Sequence, residues 1–117
     1  MPELAALFSS QAFAETPVNG LVGNTAVSGV IDRLVITDEV VIFVDFKTGQ
    51  CPDTLSSVSP SYISQMGLYA HLLEKIYPKK QIKAGLIYTE APRVFWLNKD
   101  MLEDAVKTFS HIPETAS

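Results

Sequence analysis

The run Val40–Phe46 constrains this chain more than any other stretch, because it is β-branched and aromatic almost throughout and suits a strand at the centre of a sheet. Ala26–Ile36 reads as a second strand, with Val27, Val30, Ile31, Leu34 and Ile36 as its apolar positions. Thr37-Asp38-Glu39 between the two is a short polar turn, so together they make a hairpin. A turn at Asp38-Glu39 sets Asp32 opposite Asp45. Carboxylates facing each other across a strand pair repel, and Asp32 lies among apolar neighbours, where an unpaired charge is costly. A cation held between the two acids resolves the conflict.

The remaining chain supplies the layers around that hairpin. Pro2–Phe8 reads as a short helix and Phe13–Val18 as a strand, closed by Pro17 and the turn signal Asn19-Gly20. Gly49–Ser59 is a Ser-, Pro- and Asp-rich loop. Ser59 then caps a helix with Pro60 at its first position. Its apolar stripe is Tyr62, Met66, Tyr69, Leu73 and Ile76, and Tyr77-Pro78-Lys79-Lys80 ends it. Ile82–Thr89 and Val94–Leu97 are further strands, joined through Glu90–Arg93. Asn98 caps a last helix with the stripe Leu102, Ala105, Val106 and Phe109, and Leu97 with Leu102 forms a hydrophobic staple across that cap. The tail from Pro113 is expected to fray. A strand following a helix predicts an α/β fold with a mixed central sheet flanked by helices. The 117 residues suit a single domain with its core at about residues 13–109.

Composition narrows the function classes. With 47% hydrophobic and 19% charged residues, a packed core is expected. No apolar run reaches the length of a membrane span, and Met1–Phe8 lacks the basic n-region of a signal peptide. Cys51 is the sole cysteine, which excludes an internal disulfide framework and a Cys-rich metal cluster. A cytoplasmic protein without a membrane partner is expected. The net charge of −4 argues against a free-standing nucleic-acid binder, since phosphate contacts need Lys and Arg. Two considerations offset it: metal-binding acids contribute negative charge that a divalent ion neutralises, and a domain tethered to another DNA-gripping domain needs little affinity of its own.

The chemistry concentrates in Val44-Asp45-Phe46-Lys47-Thr48. Strand alternation puts Asp45 and Lys47 on one face, roughly 6.5–7 Å apart along the chain. A carboxylate there can hold Mg²⁺ or Mn²⁺, which polarises a phosphate and acidifies water. A neighbouring ammonium can orient that water or stabilise charge developing on phosphoryl oxygens. The Phe46 carbonyl is a further possible hard-cation ligand, and Asp32 is the second acid. The same spacing also accommodates ordinary edge charges, with Asp32 paired to Arg33 and Asp45 to Lys47. Gln65 and Tyr69 share one helix face, where they either contact a phosphate backbone or serve as surface and core residues. Glu15 reads as a solvated edge residue, and His71 and His111 lack ligand spacing. No role follows for Cys51, which falls in a loop near the acids.

Gly29-Val30-Ile31-Asp32-Arg33-Leu34, Val44-Asp45-Phe46-Lys47-Thr48-Gly49, Gln65-Met66-Gly67-Leu68-Tyr69-Ala70 and Ala84-Gly85-Leu86-Ile87-Tyr88-Thr89 occur in the order seen in RecB-like nucleases of the PD-(D/E)XK superfamily. The similarity spans about Phe13 to Phe109. Within that family the chain most resembles the C-terminal nuclease domain of AddA-type helicase–nucleases of double-strand-break repair. The resemblance implies a restriction-endonuclease-like core and a metal-dependent DNA exonuclease. Asp32 and Asp45 then correspond to the metal-binding acids, Lys47 to the catalytic lysine, and Gln65 with Tyr69 to the Gln-x-x-x-Tyr motif that supports DNA binding. It also implies Mg²⁺, with Mn²⁺ as a substitute, and ATP used only by the helicase portion of a parent chain, beside an AddB-like partner subunit. The chain departs from the pattern in two ways. The upstream helix that gives a further His or Glu ligand is missing, and there is no GxxxxGK[ST] phosphate loop. A fragment of a larger protein, shortened at its N-terminus, is therefore expected. The alternatives are a non-catalytic module that guides DNA or contacts a partner, and a stand-alone RecB-like nuclease.

Overall fold

The computed structural model describes residues 12–110. Their strands are β1 (Phe13–Val22), β2 (Thr25–Ile36), β3 (Val40–Lys47), β4 (Gln81–Tyr88) and β5 (Arg93–Leu97), and their helices are α1 (Pro60–Ile76) and α2 (Lys99–Ser110). One 3₁₀ turn, Leu55–Ser57, breaks the loop between β3 and α1. The strands form one sheet in the order β1-β2-β3-β4-β5. All neighbours are antiparallel except β3 and β4, which run parallel. A parallel neighbour needs a crossover, and α1 supplies it. The Pro2–Phe8 helix, His111 and the tail from Pro113 lie outside the described residues, as does the side chain of Phe109.

β3 is the middle strand, and its composition explains why. Val41, Ile42, Phe43 and Val44 are all buried, as a strand covered on both faces requires. Val41 and Phe43 face the main core, which they share with Met66, Tyr69 and Leu73 of α1 and Leu102 of α2. Ile42 and Val44 belong to a smaller cluster with Val35 and Ile87. Asp45 and Lys47 continue the alternation of Val41 and Phe43, so they emerge on the helix-covered side at the C-terminal end of the strand.

The expected hairpin and its turn are present: Thr37 N–H donates to the Val40 carbonyl at 2.8 Å, and Arg33 pairs with Val44. Asn98 caps α2 through a 2.9 Å bond from Met101 N–H to its Oδ1. Leu97 and Leu102, the expected staple, are both buried in the main core.

Four local expectations need correction. Asn19-Gly20 is not a turn, because β1 runs on to Val22 and the chain reverses at Gly23, whose φ is +61°. Gly20 instead gives Leu72 room, since a Cβ there would lie 2.8 Å from Leu72 Cδ2. Pro17 pairs with Val30 within the strand, which is tolerated because β1 is an edge. Val30, one of the apolar positions of β2, is nevertheless 50% exposed, because Gly29 and Ile31 take the inward positions on either side of it. Ile76 is 57% exposed, since it ends α1 beyond the buried turn formed by Leu72 and Leu73. Ser59 occupies the cap position, but its hydroxyl bonds the Ser61 hydroxyl at 2.9 Å, and only its carbonyl engages the first turn.

Candidate active site

Asp32, Asp45 and Lys47 come together where β2 and β3 part. The β2–β3 register is paired as far as Arg33 and Val44, and the next step sets Asp32 beside Asp45. The β2–β3 ladder ends there, and the Asp32 carboxylate takes the Phe46 N–H at 2.9 Å. β2 also changes the residues it turns to the helix layer at this point, with Ile31 buried there before Asp32 and Leu34 after it. Across the β1–β2 pair Glu15 has φ +50°, a left-handed backbone that costs a residue with a side chain on the order of 1 kcal/mol. This irregularity lies against the acid pair.

Lys47 is held on three sides. Its Nζ lies 2.6 Å from Asp45 Oδ2, with both side chains 13% exposed. It donates to Gln65 Oε1 at 3.3 Å and sits 3.9 Å from the centre of the Tyr62 ring. Gln65 Nε2 in turn donates to the Tyr69 hydroxyl at 3.4 Å. The two helix residues therefore join the acids and the lysine in one chain of contacts. Tyr69 is buried and Gln65 half-buried, so the core and the polar readings of this pair both hold in part.

Burial pushes the Asp45 carboxyl up to about 6, reinforced by its hydrogen bond with Asp32 and opposed by Lys47. Lys47 does not offset the burial of this carboxyl and its hydrogen bond with Asp32. Paired carboxylate oxygens under that strain suit a hard divalent cation, which takes one or two carboxylates and completes its shell with carbonyl, water and substrate oxygens. Among the described residues no three His, Cys, Asp or Glu side chains cluster as a metal site, so the acid pair and the Phe46 carbonyl are what this part of the chain offers.

Tyr62 was not singled out by its sequence as part of the site, only as an apolar helix position. The signal was available in its spacing, three residues before Gln65 and seven before Tyr69 on one face. Gly29 also proves necessary. A Cβ at Gly29 would lie 1.9 Å from the Tyr69 hydroxyl oxygen and 2.5 Å from the ring carbon bearing it. Gly29→Ala is accordingly expected to lower stability by about 1–3 kcal/mol in thermal unfolding. The penalty should shrink when the same change is made in a Tyr69→Ala background, as coupled neighbours require. An unchanged melting temperature in Gly29→Ala would refute this contact. Glu15 is exposed, His71 is half-buried in α1, and Cys51 lies in the loop after β3.

The chain matches the description of the PD-(D/E)XK nuclease superfamily over residues 3–115. Among solved structures it is similar to a candidate exonuclease from Eubacterium rectale, at a TM-score of 0.69 and 11% identity, covering 92% of this chain and 43% of the other. It is also similar to the protein SSO0001, at a TM-score of 0.54 and 14% identity, covering 97% of this chain and 57% of the other. The chain thus spans about half the length of these two proteins. No curated protein matches it. No helix among the described residues is long and apolar enough to cross a membrane. A mixed five-stranded sheet with two helices agrees with the family match across nearly the whole sequence, and the chain belongs to the PD-(D/E)XK nuclease superfamily.

Proposed function

We propose that this domain hydrolyses phosphodiester bonds in DNA as an exonuclease, with Asp32, Asp45 and the Phe46 carbonyl holding Mg²⁺ (or Mn²⁺) and Lys47 as the catalytic lysine. The observation that carries the reading is the position of Lys47 Nζ, 2.6 Å from Asp45 and 3.3 Å from Gln65. When bound, a divalent ion at the acid pair supplies Lewis acidity toward the phosphate and lowers the pKa of water. Lys47, half enclosed by Tyr62, is placed to donate to the attacking water or to a phosphoryl oxygen. Gln65 holds the ammonium in place, and Tyr69 braces Gln65 from the core. Together the two extend the site toward the DNA backbone.

The wider context we propose is the C-terminal nuclease domain of an AddA-like, ATP-dependent helicase–nuclease acting in cytoplasmic double-strand-break repair and recombination. The order of the four sequence motifs supports it. ATP and an AddB-like subunit then belong to the parent assembly rather than to this chain. A non-catalytic, DNA-guiding or partner-contacting module is the second reading, favoured by the absence of a third acidic or His ligand among the described residues.

Cleavage of end-labelled single-stranded DNA with Mg²⁺, measured beside calorimetric Mn²⁺ titration, separates these readings. Wild type is expected to cleave DNA and bind the ion, and Asp32→Asn and Asp45→Asn to lose both. Cleavage at the wild-type rate by either variant would sink the nuclease assignment of that acid. DNA binding without ion binding or cleavage, in this chain and in its parent, would establish the guiding module.

A further inference from the structure

A cavity of about 510 Å³ opens beside Lys47, between the loop after β3 and the end of β4. Its walls include Thr48, Cys51, Ser59, Tyr62 and Tyr88. It is continuous with the proposed site. Thr48 follows Lys47 in the chain, and Tyr62 both lines the cavity and carries the Lys47 ammonium against its ring.

The walls are fixed rather than loose. Tyr88 is buried and meets Phe95 edge-on, with ring centres 5.8 Å apart. Arg93 ties the loop to β5 by donating to the Asp53 carbonyl at 2.8 Å. Val58 anchors the far end of the loop in the main core. Burial also pushes the Tyr88 phenol up, so it is a neutral donor at physiological pH.

The chemistry of the lining selects what can enter. Among the described residues that line the cavity there is no Lys or Arg, and Asp53 is the charged side chain present. Asp53 would repel a phosphate there, and the cations beside the cavity are already engaged, Lys47 by Asp45 and Gln65, and Arg93 by the Asp53 carbonyl. A sugar and base would find hydroxyls, an amide and the half-buried Tyr62 ring, a surface on which unpaired bases stack. The volume falls within the range of small-molecule sites. A phosphate held at Asp32, Asp45 and Lys47 would have this cavity as its neighbour through Thr48 and Tyr62.

We propose that this cavity receives the sugar and base of the nucleotide adjoining the scissile phosphate, with Tyr62 as its stacking platform, so that the site takes a strand whose bases are unpaired. The proposal rests on the nuclease reading above. It assigns Tyr62 a contact with substrate that Asp32, Asp45 and Lys47 do not make.

Cys51, the one cysteine of the sequence, lies in the cavity wall and reports on its occupancy. Its rate of modification by a thiol-specific reagent is to be measured in Ca²⁺, with a short oligothymidylate and with an abasic oligomer of the same length. Saturation of each is fixed beforehand by fluorescence anisotropy, and Mg²⁺-dependent cleavage is assayed in parallel. Oligothymidylate should slow modification of Cys51 by about tenfold or more and the abasic oligomer little, because stacking supplies the difference. Tyr62→Leu should weaken oligothymidylate binding about tenfold more than it weakens abasic binding, since any loosening of Lys47 affects both oligomers alike. Cleavage with equal protection by both oligomers, or with no protection, overturns the subsite and leaves the nuclease reading intact. Protection without cleavage in this chain or its parent removes the scissile phosphate, and with it both readings. Failure of both oligomers to bind overturns the two readings together.

Discussion

Lys47→Ala should slow phosphodiester cleavage by about 10²–10³-fold, the loss typical of removing one preorganised donor from a site where charge develops. The expectation is this large because Lys47 is held by three neighbours before any substrate arrives. Asp45 lies at 2.6 Å, Gln65 at 3.3 Å and the Tyr62 ring at 3.9 Å, so little reorganisation remains for the reaction. Lys47→Arg should not restore the rate. A planar guanidinium is larger than an ammonium and cannot meet one carboxylate oxygen, one amide oxygen and one ring face in the same place. The measurement is single-turnover cleavage of end-labelled single-stranded DNA, by this chain and by the parent enzyme, with circular dichroism to show that the variants fold. Stability should fall by about 1 kcal/mol, because the partly screened ion pair is lost. If Lys47→Ala and Asp45→Ala both cleave at the wild-type rate, the site does not perform the chemistry.

The elements that place Lys47 were legible in the sequence for physical reasons. The β-branched run of β3 has one reasonable conformation, and a turn at Asp38-Glu39 fixes its register with β2. Strand alternation then puts Asp45 and Lys47 on one face without further information. The features missed depend on residues distant in sequence. Gly20 looks like half of a turn, but the contact that requires a glycine is with Leu72, on a helix not yet formed in any local window. Gly29 is unremarkable within its strand until Tyr69 arrives across it. Tyr62 reads as core by periodicity alone, and its ring becomes part of the site because the loop after β3 brings the start of α1 over Lys47. Asp32 was placed opposite Asp45 by register. That its carboxylate would take the Phe46 N–H follows from the parting of β2 and β3, which no single strand pattern encodes. Short-range pattern thus gave the strand faces, and long-range packing gave the environment of each charged group.

That environment makes Asp45 a residue whose removal should stabilise the ion-free protein while abolishing its chemistry. Its carboxyl is raised to about 6 from an ordinary 3.8, first by burial and then by its hydrogen bond with Asp32, against the opposing pull of Lys47. An acid with a raised pKa in the folded state binds its proton more tightly there than in the unfolded chain. The stability it contributes is fully present below about 3.8 and is lost as pH rises through about 6. Asp45→Asn keeps the shape and can still donate to Asp32, yet it carries no charge to desolvate. Without divalent ions, its advantage over wild type should therefore grow from pH 4 to pH 6 and level off above. After allowance for solvent screening it should reach about 1 kcal/mol, or a few degrees in melting temperature. Divalent ions should reverse the order, because an ion bound only by the folded wild type stabilises it by mass action and the variant lacks the second acid. Thermal unfolding across that pH range, with chelator and then with Mn²⁺, gives both halves of the comparison. A wild type more stable than Asp45→Asn at neutral pH in chelator would mean that Lys47 neutralises the acid pair by itself. The strain at the junction of β2 and β3 would then require no cation.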